Sequence, residues 1–315
     1  MAASVTSDLD VAAGLPMLLR TIAHAQQRMR NAAAGADCTG TQISVMTAVV
    51  NNPGLDHRSV CKATFIDAST VASVVRTLAA RGLLRQQRST TDRRRYELYA
   101  SEEAGERAYS SQELVRLGND ELLSPLTGER RTRFIASLRV IAYAGRREPP
   151  EQYVIPPPNG RGEPFRVQFG LGRLVRGALQ RHARIWAEEL QEPLTAVQYL
   201  ALRTLEHAGA VDQRALGEIT LIDKATLTAL LQRLERAGLV DRVTDTRDRR
   251  RRLLAVSPAG RSLLRAADEA QCRTASRFLS PLEPADRAEF VDALTVLAGH
   301  ARREFLSYAA PRTEV

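Results

Sequence analysis

The feature that most constrains this chain is that it is written twice. Displaced by 156 positions, Asp56, Arg58, Thr64, Ile66, Asp67, Thr70, Leu78, Gly82 and Leu83 recur identically as Asp212, Arg214, Thr220, Ile222, Asp223, Thr226, Leu234, Gly238 and Leu239. Leu15, Leu18 and Met29 are answered by Leu171, Leu174 and Ile185, and Gln42 by Gln198. LSPL at 123–126 returns at 279–282. Such a period is too long for a stacked solenoid repeat and has the length of a domain. The 315 residues therefore predict two domains that each bury a core. Expected boundaries are 1–147 for the first copy, 148–166 for a linker, 167–310 for the second copy and 311–315 for a tail. The stretch REPPEQYVIPPPNGRGEP between the copies is rich in Pro and Gly and carries neither a helical nor an alternating pattern, which predicts an extended, partly polyproline linker.

Within each copy the apolar spacing changes from helical to alternating and back. Leu15, Leu18, Leu19, Ile22 and Met29, like Leu171, Leu174, Val175 and Leu179, keep a helical period and predict a long first helix. A second helix is expected from about Gly40, or Ala196, and a short third holds Val60, or Leu216. Asp67 and Asp223 stand where they can cap a fourth helix, and Gly82 and Gly238 suit the left-handed exit from it. The period then drops to two: LLRQQR and YELYA, and LVDRVT and LLAVS, read as short strands of a hairpin. Ser101 and Ser257 cap a fifth helix, helped by Glu102 and Glu103 in the first turn of one copy and Pro258 at the first position of the other. A last amphipathic helix carries Phe134, Leu138 and Ile141, or Phe290, Leu294 and Leu297. The expected class is mainly α with small β-hairpin wings.

Charge concentrates at the hairpin tips. Arg93, Arg94 and Arg95 follow Asp92, and Arg247 and Arg249–Arg252 flank Asp248. The net charge of +9 favours a polyanionic partner such as nucleic acid, with a membrane surface open on charge alone. Lys62 and Lys224 are the only lysines, so nearly all the basic charge is guanidinium, suited to bidentate phosphate and base contacts. Codon bias accounts for that ratio as well, but not for where the arginines cluster. Two short helices followed by a basic hairpin make a winged helix-turn-helix, in which the fourth helix enters the major groove and the wing an adjacent minor groove. A thin tip carrying guanidinium is what a narrow, negative minor groove attracts. A solvated charged turn is the plainer reading of one such cluster, and its recurrence at the same place argues against that.

The stretches IDKATLTALLQRLERAGLV and DTRDRRRRLLAVSPAG, and more loosely IDASTVASVVRTLAARGLL and TTDRRRYELYASEEAG, resemble the multiple-antibiotic-resistance regulator (MarR) family. The resemblance covers nearly all of both copies outside the linker. It implies a double-stranded DNA-binding transcriptional regulator, commonly a repressor, whose members pair through first and last helices and bind pseudo-palindromic operators. Many members release DNA when a small aromatic or anionic effector enters between dimer helices and DNA-binding lobe. This chain looks like such a dimer fused into one polypeptide: tandem winged helix-turn-helix domains forming an intramolecular pseudo-dimer, a monomer acting as a dimer, with further dimerisation left open. Fusion makes pairing intramolecular and lets unlike halves read unlike half-sites.

By position, the resemblance places the wing's minor-groove arginine at Arg94 and Arg250, with Arg93 and Arg249 as rivals and Asp92, Arg95, Arg247, Asp248 and Arg251 beside them. On the fourth helices Ser69, Thr70, Ser73 and Arg76, and Lys224, Thr226, Thr228, Gln232 and Arg233, are the polar candidates. Thr70 and Thr226 suit phosphates. Where many members carry a long side chain after that threonine, Ala72, Ser73, Thr228 and Ala229 are short, so specificity leans on wings, DNA shape and helix ends. His182 and Trp186 share a helical face and Tyr199 lies on the next helix; core or inter-copy packing is one reading of the three, an effector site the other. Copy one has Gln26 and Arg30 at the positions of His182 and Trp186.

Other classes find little support. P-loop, GxGxxG, GxSxG and HExxH motifs are absent and the histidines are scattered, so no catalysis and no cofactor are expected. Cys38, Cys61 and Cys272 lack metal-ligand spacing, and no metal is expected. Cys61 beside Val60 suits a small buried position, with a redox-sensing thiol at Cys38 or Cys61 as the alternative. No apolar run approaches the roughly 20 residues of a membrane span, and MAASVTSDLDVAAGLPMLL lacks a basic start before its apolar part. The chain reads as cytoplasmic and associated with the bacterial nucleoid. The rival to a regulator is an architectural DNA-binding protein with little sequence preference, and a third reading leaves one copy purely structural.

Overall fold

The computed structural model describes residues 8–89, 95–145, 152–155, 165–168, 170–190, 194–244 and 252–306. The first copy runs α1 (Asp8–Ala34), α2 (Gly40–Asn51), α3 (His57–Thr64), α4 (Ala68–Ala80), β1 (Leu84–Arg88), β2 (Tyr96–Ala100), α5 (Glu102–Leu122) and α6 (Gly128–Tyr143). After β3 (Gln152–Ile155) and β4 (Phe165–Gln168), the second copy repeats the order. It runs α7 (Leu171–Glu189), α8 (Ala196–Ala208), α9 (Gln213–Thr220), α10 (Lys224–Arg236), β5 (Val240–Thr244), β6 (Arg252–Val256), α11 (Pro258–Leu279) and α12 (Pro284–Ala301), followed by a π-helical turn at Arg302–Leu306. The fold is mainly helical with small antiparallel hairpins.

Many of the elements begin and end where local chemistry dictates, with the same caps at matching positions of the two copies. Thr39 and Thr195 form capping boxes with Gln42 and Gln198, each side chain satisfying the other residue's exposed backbone amide. Asp56 and Asp212 cap α3 and α9, and Ser101 and Ser257 cap α5 and α11. Gly82 and Gly238 leave α4 and α10 with φ of 72° and 68°, conformations a side chain would penalise.

Between β1 and β2, Leu84 pairs with Ala100 and Arg88 with Tyr96; between β5 and β6, Val240 pairs with Val256 and Thr244 with Arg252. The linker differs from expectation. Its ends form an antiparallel pair, β3 with β4, with Gln152 opposite Gln168 and Ile155 opposite Phe165. Tyr153, Val154, Ile155, Phe165 and Val167 are strong strand formers, and a pattern too short to show alternation still pairs when its two ends meet.

Two compact units emerge, and neither is a contiguous stretch. One comprises Ile22–Ala178 with Asp292–Val315, the other Leu179–Val291 with Met1–Thr21. The division thus falls inside α1, α7 and α12. In the first unit Ile43, Met46 and Val49 of α2, Val60 of α3, Val71, Val75 and Leu78 of α4 and Leu98 of β2 form one apolar core. In the second, Leu202 and Leu205 of α8, Leu216 of α9, Leu227, Leu231 and Leu234 of α10 and Leu254 of β6 make its counterpart, enlarged by Trp186 and Tyr199.

Candidate nucleic-acid interface

The turn from α3 into α4 is built on a residue that resists it. Phe65 has φ of 53°, and Leu221 at the same place in the second copy has φ of 53°. They are the only non-glycine residues at positive φ among those described. A bulky side chain in this region costs on the order of 1–3 kcal/mol and persists only where packing over-determines it. Phe65 meets that condition, being buried and lying with its ring centroid 5.6 Å from that of Tyr143. The reward is a tight turn that fixes where the next helix points.

Asp67 opens that helix. Its carboxylate accepts from the Thr70 amide at 2.8 Å and from the Ser69 hydroxyl at 2.6 Å. These donors hold its pKa down at about 2. Asp223 accepts from the Thr226 amide at 2.9 Å, and its pKa is lowered by the same kind of bonds. Ser69 is thereby turned back toward its own cap, and its hydroxyl proton is committed there.

With Val71, Val75 and Leu78 buried, α4 exposes Ser69, Ser73, Arg76 and Thr77, with Thr70 at the edge of that face. With Leu227, Leu230, Leu231 and Leu234 buried, α10 exposes Lys224, Thr226, Gln232, Arg233 and Arg236. Thr228 is partly buried: its hydroxyl accepts from Gln213 and donates to the Lys224 carbonyl, both near 2.8 Å and 2.7 Å respectively. It therefore braces α10 on α9. Thr77 and Arg236 share the exposed faces and were not singled out from sequence; extending the same helical spacing by one turn would have found both.

The wings are fastened to the helices beneath them. Before α3, the Leu55 carbonyl accepts from the Leu98 amide of β2 and the Gly54 amide donates to the Leu98 carbonyl, both at 2.9 Å; in the second copy Val211 and Leu254 of β6 exchange both backbone bonds, at 3.1 and 2.7 Å. Leu98 and Leu254 are fully buried, which pins each hairpin base. Arg95 grips Asp56 with two nitrogens, Nε at 2.8 Å and Nη2 at 2.5 Å, so this wing arginine ties the strand to the α3 cap. In the second copy Arg242 of β5 pairs with Glu235 of α10 at 2.8 Å. Asp92, Arg93, Arg94, Arg247, Asp248, Arg249, Arg250 and Arg251 lie outside the described residues.

The three aromatic candidates of the second copy have their own neighbours. Trp186 packs against Tyr199 with centroids 4.7 Å apart and the rings tilted by 46°, and its indole N–H donates to the Leu194 carbonyl at 2.6 Å. The Tyr199 hydroxyl accepts from Arg203 at 3.0 Å, and Arg203 also pairs with Asp268. Both aromatic residues belong to the apolar core, and the Tyr199 hydroxyl reaches the charged pair at its edge. His182 stands edge-on to Phe278 at 5.7 Å, with Nε2 buried and unpartnered. Burial, and after it the charge of Arg20, lowers its pKa to about 4.

Sequence comparison matches the MarR family model at residues 36–95 and 192–251, which in each copy reaches from just before the second helix into the wing. Transcriptional regulator HosA of Escherichia coli O157:H7 is 34% identical over 117 residues, covering 37% of this chain and 86% of that protein. The HTH-type transcriptional repressor NicR of Pseudomonas putida is 34% identical over 104 residues, 33% of this chain and 66% of the relative. A structure of BpsR from Bordetella bronchiseptica, solved in connection with regulation of its DNA binding by 6-hydroxynicotinic acid, is 30% identical and covers 42% of this chain and 95% of that one, with a TM-score of 0.39. This chain belongs to the MarR family. MarR-family proteins are DNA-binding transcriptional regulators, not enzymes, and that class holds for this chain. Among the described residues, no helix is long and apolar enough to cross a membrane.

Proposed function

We propose that this MarR-family chain is a repressor that reads two unequal half-sites of one double-stranded operator with the two halves of a single polypeptide, and that a small aromatic or anionic effector releases it. One observation carries the reading: two equal scaffolds display unequal faces. Helix α4 offers Ser69, Ser73, Arg76 and Thr77, whereas α10 offers Lys224, Thr226, Gln232, Arg233 and Arg236. The longer donors of α10 suit base edges, and the short side chains of α4 suit phosphates and shape. The repressor assignment is supported by NicR, a relative named as one. MarR-family regulators bind small-molecule ligands as well as DNA, which supports the effector.

Selection of bound duplexes from a random pool, with the solution mass recorded, tests this reading. The expected product is two related but unequal half-sites about one helical turn apart, held by one chain. Salt-sensitive binding that enriches no motif would replace it with an architectural role. Arg94→Ala and Arg250→Ala should each weaken operator binding several-fold and reduce the salt slope by about one. If either leaves binding unchanged, that half is structural.

A further inference from the structure

Matching positions of the two copies carry opposite kinds of surface. In the second copy Arg273 and Arg277 of α11 close an ion network with Glu188 and Glu189 at the end of α7. Arg273 reaches Glu189 at 2.9 Å, and Arg277 reaches Glu189 at 2.5 Å and Glu188 at 2.7 Å. In the first copy the places of Arg273, Arg277, Glu188 and Glu189 are held by Leu117, Glu121, Ala32 and Ala33. Ala270, buried in α11, has Leu114 as its counterpart in α5.

The result is an apolar surface on one copy alone. Leu114 and Leu117 are 54% and 51% exposed, the two most exposed large apolar side chains among those described. The Ser111 hydroxyl donates to the Ala33 carbonyl at 3.3 Å, so the end of α1, with Ala32 exposed and Ala33 half-buried, runs beside α5. A lone exposed leucine needs no explanation. Neighbouring ones, at places where the same scaffold elsewhere carries charge, mark a surface that meets something.

That surface has a period. Arg107, Ser110, Leu114, Leu117 and Glu121 are spaced by three, four, three and four residues, which sets them on one stripe of α5 with the leucines at its middle. Ser111, Val115 and Leu122, on the adjoining stripe, are buried. The stripe has a cation toward one end and an anion toward the other. Turned end for end, a second stripe sets Leu114 opposite Leu117 and brings Arg107 within about one helical turn, roughly 5 Å, of Glu121, a gap that an arginine side chain spans. Arg107 holds Glu103 at 2.9 Å, but an exposed pair one turn apart exchanges at little cost. Glu121 has no ion pair among the described residues. The acids at the outer edge of the stripe do not oppose the approach, since Arg116 pairs with Glu113 at 2.6 Å and with Asp120 at 3.0 Å.

We propose that this stripe of α5 joins two copies of the chain, antiparallel about a two-fold axis. Leu114 and Leu117 form the centre, Ala32 and Ala33 flank it, and Arg107 of each chain faces Glu121 of the other. A patch that meets itself closes after two chains and does not propagate. The interface is small, so the dimer is weak, with a dissociation constant on the order of 10–100 µM. Each chain keeps its own pair of winged helices, and the joint gathers four of them on one particle.

Sedimentation velocity of the full-length chain, without DNA, from well below to well above that concentration tests the proposal independently of the operator reading. Expected is a rise in mass from one chain to two and no further. Leu117→Arg, which installs the residue the second copy carries at that place, should raise the dissociation constant about tenfold or more. Arg107→Glu or Glu121→Arg alone should weaken the dimer several-fold, and the two exchanges together should restore it. Leu117 and Glu121 are exposed, so Leu117→Arg and Glu121→Arg should unfold at the temperature of the parent. A single-chain mass at every concentration, growth beyond two chains, a dimer indifferent to Leu117→Arg, or no rescue in the doubly exchanged chain would each overturn the proposal.

Discussion

Asp67 shows how much one side chain can decide. It closes the exposed amide end of α4, and its depressed pKa means that the folded state releases a proton the unfolded chain keeps. The stability it contributes is complete above the unfolded value of about 4 and is lost as pH falls through about 2. Asp67→Ala should cost about 1 kcal/mol, measured by denaturant unfolding at neutral pH, and the difference from the parent should vanish near pH 2. His182 works in the other part of the acid range. Buried as the neutral ring, it stays unprotonated down to about pH 4, whereas the unfolded chain takes up a proton near pH 6.5, so stability should fall as pH drops between those values. Thermal unfolding of His182→Leu should show a flatter pH dependence across that window; an unchanged slope would assign the effect elsewhere. Trp186→Ala, which empties a fully buried site, should cost about 3–5 kcal/mol.

At the scale of elements, the wing is a hairpin whose base is fixed to the helices beneath it. Arg95 belongs to the basic run, yet its two bonds to Asp56 assign it to holding the strand on α3. Arg95→Ala should therefore change the salt slope of DNA binding less than Arg94→Ala does, while Asp56→Ala should reproduce much of the Arg95→Ala effect; both follow from binding measured across a salt series. The sequence showed the run but not this division of labour, because Asp56 and Arg95 lie far apart along the chain and meet only once the hairpin has folded back. The caps, by contrast, were legible. Asp67 and Thr70, or Ser101 and Ala104, are three residues apart, and a contact of that range needs no tertiary structure. The linker pair β3 and β4 was missed for the same reason as Asp56 and Arg95, since strand pairing depends on which ends meet.

At the scale of the whole chain, each compact unit takes segments from both sequence copies. A fragment ending at residue 147 lacks the start of α7 and the end of α12, which belong to the unit of the first winged helix. In that unit Gly177 of α7 lies where a Cβ would touch Ala142 and the Phe65 ring at 3.1 Å. The isolated fragment 1–147 should therefore unfold at a lower temperature than the full chain and bind a hydrophobic dye that the full chain does not. A fragment as stable as the parent would show that the missing segments contribute nothing. In the full chain, covalent linkage should make DNA affinity independent of protein dilution, apart from the binding equilibrium itself.

The sequence by itself determined the duplication, the order of helices and wing, the caps and the basic tips, because each is written in neighbouring residues or in a direct comparison of one copy with the other. It also determined which residues are apolar enough to be buried: Leu78 and Leu234, Phe134 and Phe290 all lie in the interior. Tertiary structure alone decided which polar groups far apart along the chain meet. It turned Thr228 inward to brace α10, placed Trp186 and Tyr199 in a core, and brought Arg30 beside Arg173 and Arg176 from the far side of the linker. Burial and charge pairing depend on distance in space, and only the folded chain sets those distances.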